Sequence, residues 1–331
     1  MTNKTVYNFD KSKWLEQKSL ANRTTLFLDL NYWINLSEEQ NPLNIELRNL
    51  LSEKVSSSKI VCPISPSLLL EFKKRPQSDR RTKYCQLMDE LSRGISLRNG
   101  MAIFKEEFKA VIRGQAIDRA IAYSHFIEAL LNDLRIEFPE SEWSQIDKER
   151  AADLRFDHFS NMSIIEVVDI EIEDDKEGSI LRLRDGLSEL CKQEKEWRGK
   201  NNLSRSDIEQ AEFASTAYSF MPTILESLLD ADIRTIQKLS SENDKANILR
   251  QCPTFWCEYR LITELRLNKV QLTENDLWDL QHVASALPYV DCVACDGMTR
   301  HLCSDVLKLD KKYGTTVISK LSDLKNWIID A

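Results

Sequence analysis

Glycine and proline are scarce here, eight of each in 331 residues, which excludes a collagen-like or Pro/Gly-rich low-complexity polymer. With 42% hydrophobic residues, the chain is expected to fold and to be rich in helix. Long apolar runs are also missing. No stretch approaches the roughly 20 residues that a bilayer span needs. The opening Met1-Thr2-Asn3-Lys4 lacks the apolar core of a secretory signal. A cytoplasmic protein with no membrane partner is therefore expected. Basic excess is absent as well: a net charge of −8 excludes a uniformly basic nucleic-acid coat, so phosphate contacts have to come from local patches. The eight cysteines have no secreted-framework spacing, which predicts reduced thiols. Cys292-Val293-Ala294-Cys295, with His301 and Cys303 after it, has a zinc-like spacing. On a strand, however, positions three apart face opposite ways, so buried apolar cysteines explain it better.

The pattern along the chain predicts an α/β protein. A buried strand is expected at 24–30, helix at 31–57 with a break at Asn41-Pro42, and a second strand at 59–64. Ser65 is placed to cap the next helix, with Pro66 in its first turn and Leu68, Leu69 and Phe72 as its apolar stripe. From about 77 to 265 the pattern turns to amphipathic helix. The clearest is 101–138, where Phe104, Phe108, Val111, Ile112, Ile121, Phe126, Leu130 and Leu134 fall at helical spacing. Further helices are predicted at 179–198, at 206–229 behind a Ser206/Glu209 capping box, at 230–250, and at 254–267 after Pro253. The segment 164–173 is β-branched, and strand and helix compete there. A helix after Thr273, stopped by Pro288, then leads into strands at 292–295 and 315–318. Strand–helix–strand order with crossovers implies a parallel sheet flanked by helices, with ligands gathering at the carboxyl ends of the strands.

Four acidic residues stand where a strand or its following helix would hold them, with Asp29 and Asp296 at strand ends. Asp29 closes Leu26-Phe27-Leu28, Glu71 rides the helix opened by Ser65-Pro66, Asp279 lies in Asp276-Leu277-Trp278-Asp279, and Asp296 ends Cys292-Val293-Ala294-Cys295. The two ends of the chain, roughly 1–75 and 265–331, resemble a PIN-domain nuclease, a family of metal-dependent enzymes that mostly cut RNA. The resemblance rests on Leu26-Phe27-Leu28-Asp29-Leu30-Asn31, on Ser65-Pro66-Ser67-Leu68-Leu69-Leu70-Glu71, on Asp279-Leu280-Gln281-His282-Val283-Ala284-Ser285-Ala286, and on Ala294-Cys295-Asp296. The last corner departs from the family's Thr-x-Asp pattern, because Ala294 stands where the threonine would be. The resemblance implies a discontinuous PIN-like domain of 1–76 and 266–331, with a large, mainly α-helical insertion at 77–265. It also implies Mg²⁺ or Mn²⁺ on Asp29, Glu71, Asp279 and Asp296, with Asp29 and Asp296 as the direct ligands and RNA as substrate. Asn31, Asp276 and Asp291 are secondary candidates. Magnesium takes carboxylate oxygen and keeps several waters, one of which can serve as nucleophile.

Lys73, Lys74, Arg75, Arg80, Arg81 and Lys83 follow Glu71 and are candidate phosphate contacts, although such a run is as often a solvated helix face. The helical insertion is a candidate surface for a protein partner or a second copy of the chain. Each acid also has a structural reading: Asp29 as a helix N-cap, Asp276 completing a cap with Thr273, Asn31 as a cap, and Asp291 as a strand starter. His282 reads equally as a core residue. Arg119 and His125 form Arg-x5-His, which resembles the motif of HEPN ribonucleases, but residues six apart on a helix diverge by more than half a turn. Two other readings stay open: a catalytically silent PIN-like module that binds RNA or protein, and a DNA-directed flap-type nuclease. The cellular role stays open among toxin, defence effector and processing enzyme.

Overall fold

The computed structural model describes residues 20, 23–38, 40–65, 68, 79–126, 129, 163, 164, 166, 196, 203–229, 231, 242–268 and 274–331. The class is α/β, with a four-stranded parallel sheet flanked by helices. Chain contacts divide into two compact units: Met1–Arg98 with Tyr123–Lys176 and Lys325–Ala331, and Asn99–Ala122 with Glu177–Leu324.

In the first unit, β1 (Thr24–Leu28) buries Leu26, Phe27 and Leu28 completely. A continuous apolar run of this kind suits a parallel strand covered on both faces. Helix α1 (Leu30–Ser37) and helix α2 (Pro42–Ser56) form the crossover. Asn41 Oδ1 accepts the Leu43 amide at 3.0 Å, and Pro42 takes the first turn, where a missing N–H leaves nothing unsatisfied. Leu47, Leu51 and Val55, four apart, make the buried stripe of α2. The chain returns in β2 (Ile60–Val61), parallel to β1 with Thr24 opposite Ile60. The Ser65 hydroxyl then accepts the Leu68 amide at 3.3 Å, and Leu68 is fully buried; Leu69 and Phe72 lie outside the described residues.

Helix α3 (Asp79–Ser92) ends in a tight turn through Arg93 and Gly94. Gly94 has φ +76, and a Cβ there would meet the His125 ring nitrogen Nε2 at 2.9 Å, so only glycine fits. Strand β3 (Ile95–Leu97) follows, antiparallel to β4 (Tyr123–His125). This pair was not anticipated in a stretch read as helical. The expected 101–138 helix is instead divided, with its latter part in β4 and Leu130 and Leu134 outside the described residues. The segment 164–173 opens as helix: Ser163 and Glu166 cap each other reciprocally, and both Asp89 carboxylate oxygens accept the Ile164 amide.

In the second unit, α4 (Gly100–Arg113) starts with the Met101 amide donating to Asn99 Oδ1 at 2.6 Å. It stops at Gly114, which adopts the left-handed conformation at φ +68 and returns its N–H to the last turn. The interruption of the apolar periodicity by Gly114 is therefore a true helix end, followed by a 3-10 turn at Arg119–Ala122. Helices α5 (Arg205–Ser219), α6 (Met221–Leu229), α7 (Glu242–Gln251) and α8 (Pro253–Leu267) build the aromatic core with α4. Phe104, Phe108, Ile112, Phe220, Phe255 and Tyr259 are buried together, with Phe104 and Phe220 ring centroids 4.4 Å apart. The capping box of α5 is Ser204 with Asp207, two residues ahead of the expected Ser206 start. The expected 206–229 helix breaks at Phe220, whose side chain goes into the core.

Helix α9 (Glu274–Ala286) leads to β5 (Cys292–Ala294), which pairs in parallel with β6 (Thr316–Ile318). Between them run α10 (Gly297–Arg300), a π-helical turn at His301–Val306 and α11 (Leu309–Tyr313). Helix α12 (Leu321–Asp330) closes the chain. Its end belongs to the first unit, where Lys325 pairs with Glu46 and Lys54 donates to the Ile329 carbonyl. Among the described residues, no helix is long and apolar enough to cross a membrane.

One carboxylate organises the second unit. Glu107 of α4 is completely buried and accepts the Thr254 amide (2.9 Å), the Thr254 hydroxyl (2.5 Å) and the Tyr289 hydroxyl (2.5 Å). It thereby joins α4 to the first turn of α8 and to the turn before β5. Burial pushes Glu107 up to about 7 from 4.5, against the pull of these donors. The folded protein thus holds a proton between those values that the unfolded chain has released, so stability falls as pH rises through 4.5 to about 7 and then levels. Asp89 acts in the same sense, whereas the buried His125 imidazole, lowered to about 4, acts in the opposite sense. Urea unfolding of wild type and Glu107→Gln at pH 5 and pH 7.5 isolates the Glu107 share. The variant is expected to be less stable at pH 5 by about 1–3 kcal/mol, because the Thr254 amide faces a donor. The gap should narrow at pH 7.5; an equal gap at both pH values refutes the protonation argument.

Candidate functional site

Asp29 stands directly after β1 and is buried, at 2% exposure. Its Oδ1 accepts the Leu30 amide at 2.7 Å, so it is the N-cap of α1. This corrects the alternative placing of the cap at Asn31, which lies inside α1 and is exposed, because the helix begins one residue earlier. Asp296 holds the equivalent place in the second unit. It follows β5 by two residues, and its Oδ1 accepts the Met298 amide at 2.7 Å and the Thr299 amide at 3.1 Å, capping α10. Both acids therefore mark a passage from a parallel strand into a helix. There the backbone exposes amides that need an acceptor.

The other sequence candidates fall differently. Glu71 lies outside the described residues, together with Lys73, Lys74 and Arg75. Arg80 and Arg81 are in the first turn of α3, and Lys83 is exposed one turn on. Asp276 and Asp279 lie on α9. Asp291, just before β5, accepts Arg119 Nη1 at 2.9 Å, while Arg119 Nε donates to the Tyr289 carbonyl. That pairing gives Asp291 an anchoring part at the entrance to β5. Arg119 lies on a 3-10 turn and His125 on a strand, so the single helix on which the Arg-x5-His pair was expected is not formed. His282 is buried on α9.

Cys292, Cys295 and Cys303 are buried free thiols, and burial raises the Cys303 pKa, which keeps that thiol protonated and apolar. Among the described residues, no group of three or more His, Cys, Asp or Glu side chains is arranged to hold a metal ion. Of the four proposed ligands, the side chains described are Asp29 and Asp296. Both supply hard carboxylate oxygen, the donor type that magnesium and manganese accept. Chemically they fit such a cation.

Features with no clear sequence signal also surround Asp296. The segment after it winds as a π-helix at His301–Val306, an arrangement that recurs at functional sites. Within it Asp305 accepts Arg300 Nη1 at 2.9 Å and lies 3.0 Å from His301 Nδ1, which holds Asp305 below the ordinary carboxylate range. The His301 to Asp305 spacing of four was legible, but the π-turn that shapes it was not. No protein family, curated protein or solved structure matches this chain.

Capping and metal binding by the two aspartates are separable. Asparagine caps a helix about as well as aspartate, whereas alanine forfeits about 0.5–2 kcal/mol. Thermal melts in chelator should therefore show Asp296→Asn close to wild type and Asp296→Ala lower. Equal losses in both variants would mean that the charge itself, rather than the cap, supports the fold.

Proposed function

We propose that this chain is a PIN-like, Mg²⁺- or Mn²⁺-dependent endoribonuclease that hydrolyses RNA phosphodiester bonds. Its nuclease domain comprises residues 1–76 and 266–331, and residues 77–265 form an insertion. The observation that carries the reading is the repeated strand–aspartate–helix junction: Asp29 after β1 capping α1, and Asp296 after β5 capping α10. Carboxyl ends of parallel strands are where open α/β sheets place their ligands. Asp29 and Asp296 would hold the cation directly, with Glu71 and Asp279 assisting. When bound, the cation supplies a water of lowered pKa and neutralises charge on the phosphate. The chain's own contribution is orientation. In each aspartate the helix amides fix Oδ1, which sets the rotamer of the carboxylate before any ligand arrives. Asp29, being buried, also sits where water is excluded, which strengthens its electrostatic effect.

Labelled single-stranded RNA, single-stranded DNA and branched DNA, each incubated with Mg²⁺, Mn²⁺ or chelator, test the proposal. Cleavage of RNA that needs the metal, and a loss of roughly 100-fold or more in Asp29→Asn and Asp296→Asn with unchanged melting curves, is the expected result. No cleavage by wild type with either metal, and no metal-dependent rise in melting temperature, would remove the hydrolytic reading.

A further inference from the structure

A cluster of cations on the second unit has no counterpart among the residues assigned above. The Lys312 ammonium of α11 lies 4.6 Å from the centre of the Trp256 ring and 5.3 Å from that of Tyr313. The Arg260 guanidinium, one turn along α8 from Trp256, lies 5.5 Å from the same ring. Lys308, the residue that leads into α11, precedes Lys312 by four positions in the sequence, and both are exposed. Lys308 also holds a left-handed backbone, φ 54, a conformation that is costly for a side chain with a Cβ. The turn into α11 thus keeps a lysine where a glycine would be easier.

Aromatic rings fix Lys312 without cancelling its charge, whereas Arg260 also pairs with Glu264. A carboxylate partner would neutralise an ammonium, but a ring attracts it through its quadrupole and leaves the full charge available. Among the described residues, Lys312 has ring contacts and no carboxylate bond. The nearby acids are engaged: Glu264 Oε1 is shared between Arg205 and Arg260, and Asp310 Oδ1 accepts the Lys311 amide at 2.8 Å. Burial lowers the Lys312 pKa, Cys257 partly offsets this, and the like charge of Arg260 adds to the lowering. A chain with net charge −8 tolerates such a concentration of positive charge more readily than a basic one, but it has no general electrostatic reason to build it.

The geometry points to a docking surface for the phosphate backbone of single-stranded RNA, formed by Lys312 on Trp256 together with the exposed Lys308 at the start of α11. Phosphate oxygens supply the anion that Lys312 lacks. Because the rings are occupied by the protein's own cations, recognition runs through backbone charge rather than base stacking, and it is sequence-tolerant. The π-helical turn that follows Asp296 and α10 packs against both α8 and α11. The surface therefore adjoins the segment that leads away from a proposed catalytic acid. Naming RNA as the occupant rests on the nuclease reading.

Fluorescence anisotropy with a labelled single-stranded RNA in chelator, where no cleavage occurs, tests the surface. Lys312→Gln and Lys308→Gln are each expected to weaken binding several-fold at low salt. Each should also flatten the dependence of log K on log salt by about 0.7, the share of one phosphate contact on a single strand. Lys312→Arg, which keeps the charge, should bind as wild type. Unchanged affinity and slope in both glutamine variants overturn the proposal, as does wild-type protein that binds phosphatidylserine vesicles but no RNA. Wild type that binds RNA through these lysines yet cleaves none with Mg²⁺ or Mn²⁺ leaves the surface standing and sinks the hydrolytic reading alone.

Discussion

A buried carboxylate has to be surrounded by donors before it is tolerable, and Glu107 meets that condition only when α4, α8 and the turn before β5 are assembled together. No one of those segments satisfies it alone. Glu107 thereby ties the aromatic core around Phe104, Phe220 and Phe255 to the entrance of β5. Arg119 extends the tie, since its guanidinium donates to the Tyr289 carbonyl and to Asp291. Thr315 adds another, its hydroxyl donating to the Leu287 and Val290 carbonyls at 2.6 and 3.1 Å. The turn that delivers β5, and with it Asp296, is thus held from residues far away in sequence.

The aspartates at the strand ends carry two meanings that share one physical origin. A strand entering a helix exposes amides, and an aspartate there accepts them. The same placement presents a carboxylate at the sheet's carboxyl edge, where a cation could use it. Geometry alone therefore does not separate a cap from a ligand, because both need an oxygen in one spot. Charge does separate them. A cap works as well with an amide oxygen, whereas a divalent ion requires the anion. Lys312, held on Trp256, applies the complementary logic, with position supplied by a ring rather than by a carboxylate.

Much of the local order could be read directly. The Leu26-Phe27-Leu28 run becomes a fully buried strand, Asn41-Pro42 opens a helix, Ser65 caps the Leu68 amide, and Pro253 starts α8. Each depends on neighbours within about four residues, where propensity and capping are decisive. The errors share a cause. The apolar spacing at 101–138 looked continuous because Ile121 and Phe126, which flank β4, keep the helical interval, although the left-handed Gly114 ends the helix. The α5 cap slipped from Ser206 to Ser204 because both serines offer a hydroxyl, and the Asp207 carboxylate reciprocates to Ser204. Phe220 looked like one more residue of a helix face until the core required it as a break.

What the sequence by itself determined is therefore the alternation of strands and helices, the acids at their junctions and the absence of a membrane-length apolar run, all properties of short windows. What only the tertiary structure decided is which distant groups meet: Glu107 with Thr254 and Tyr289, Arg119 with Asp291, Lys312 with Trp256. A lone glutamate in an amphipathic helix reads as a solvated charge, and a lone tryptophan reads as core. Their partners lie dozens of residues away or more, and burial and electrostatics act through space. No local pattern encodes the loss of water that makes such contacts matter.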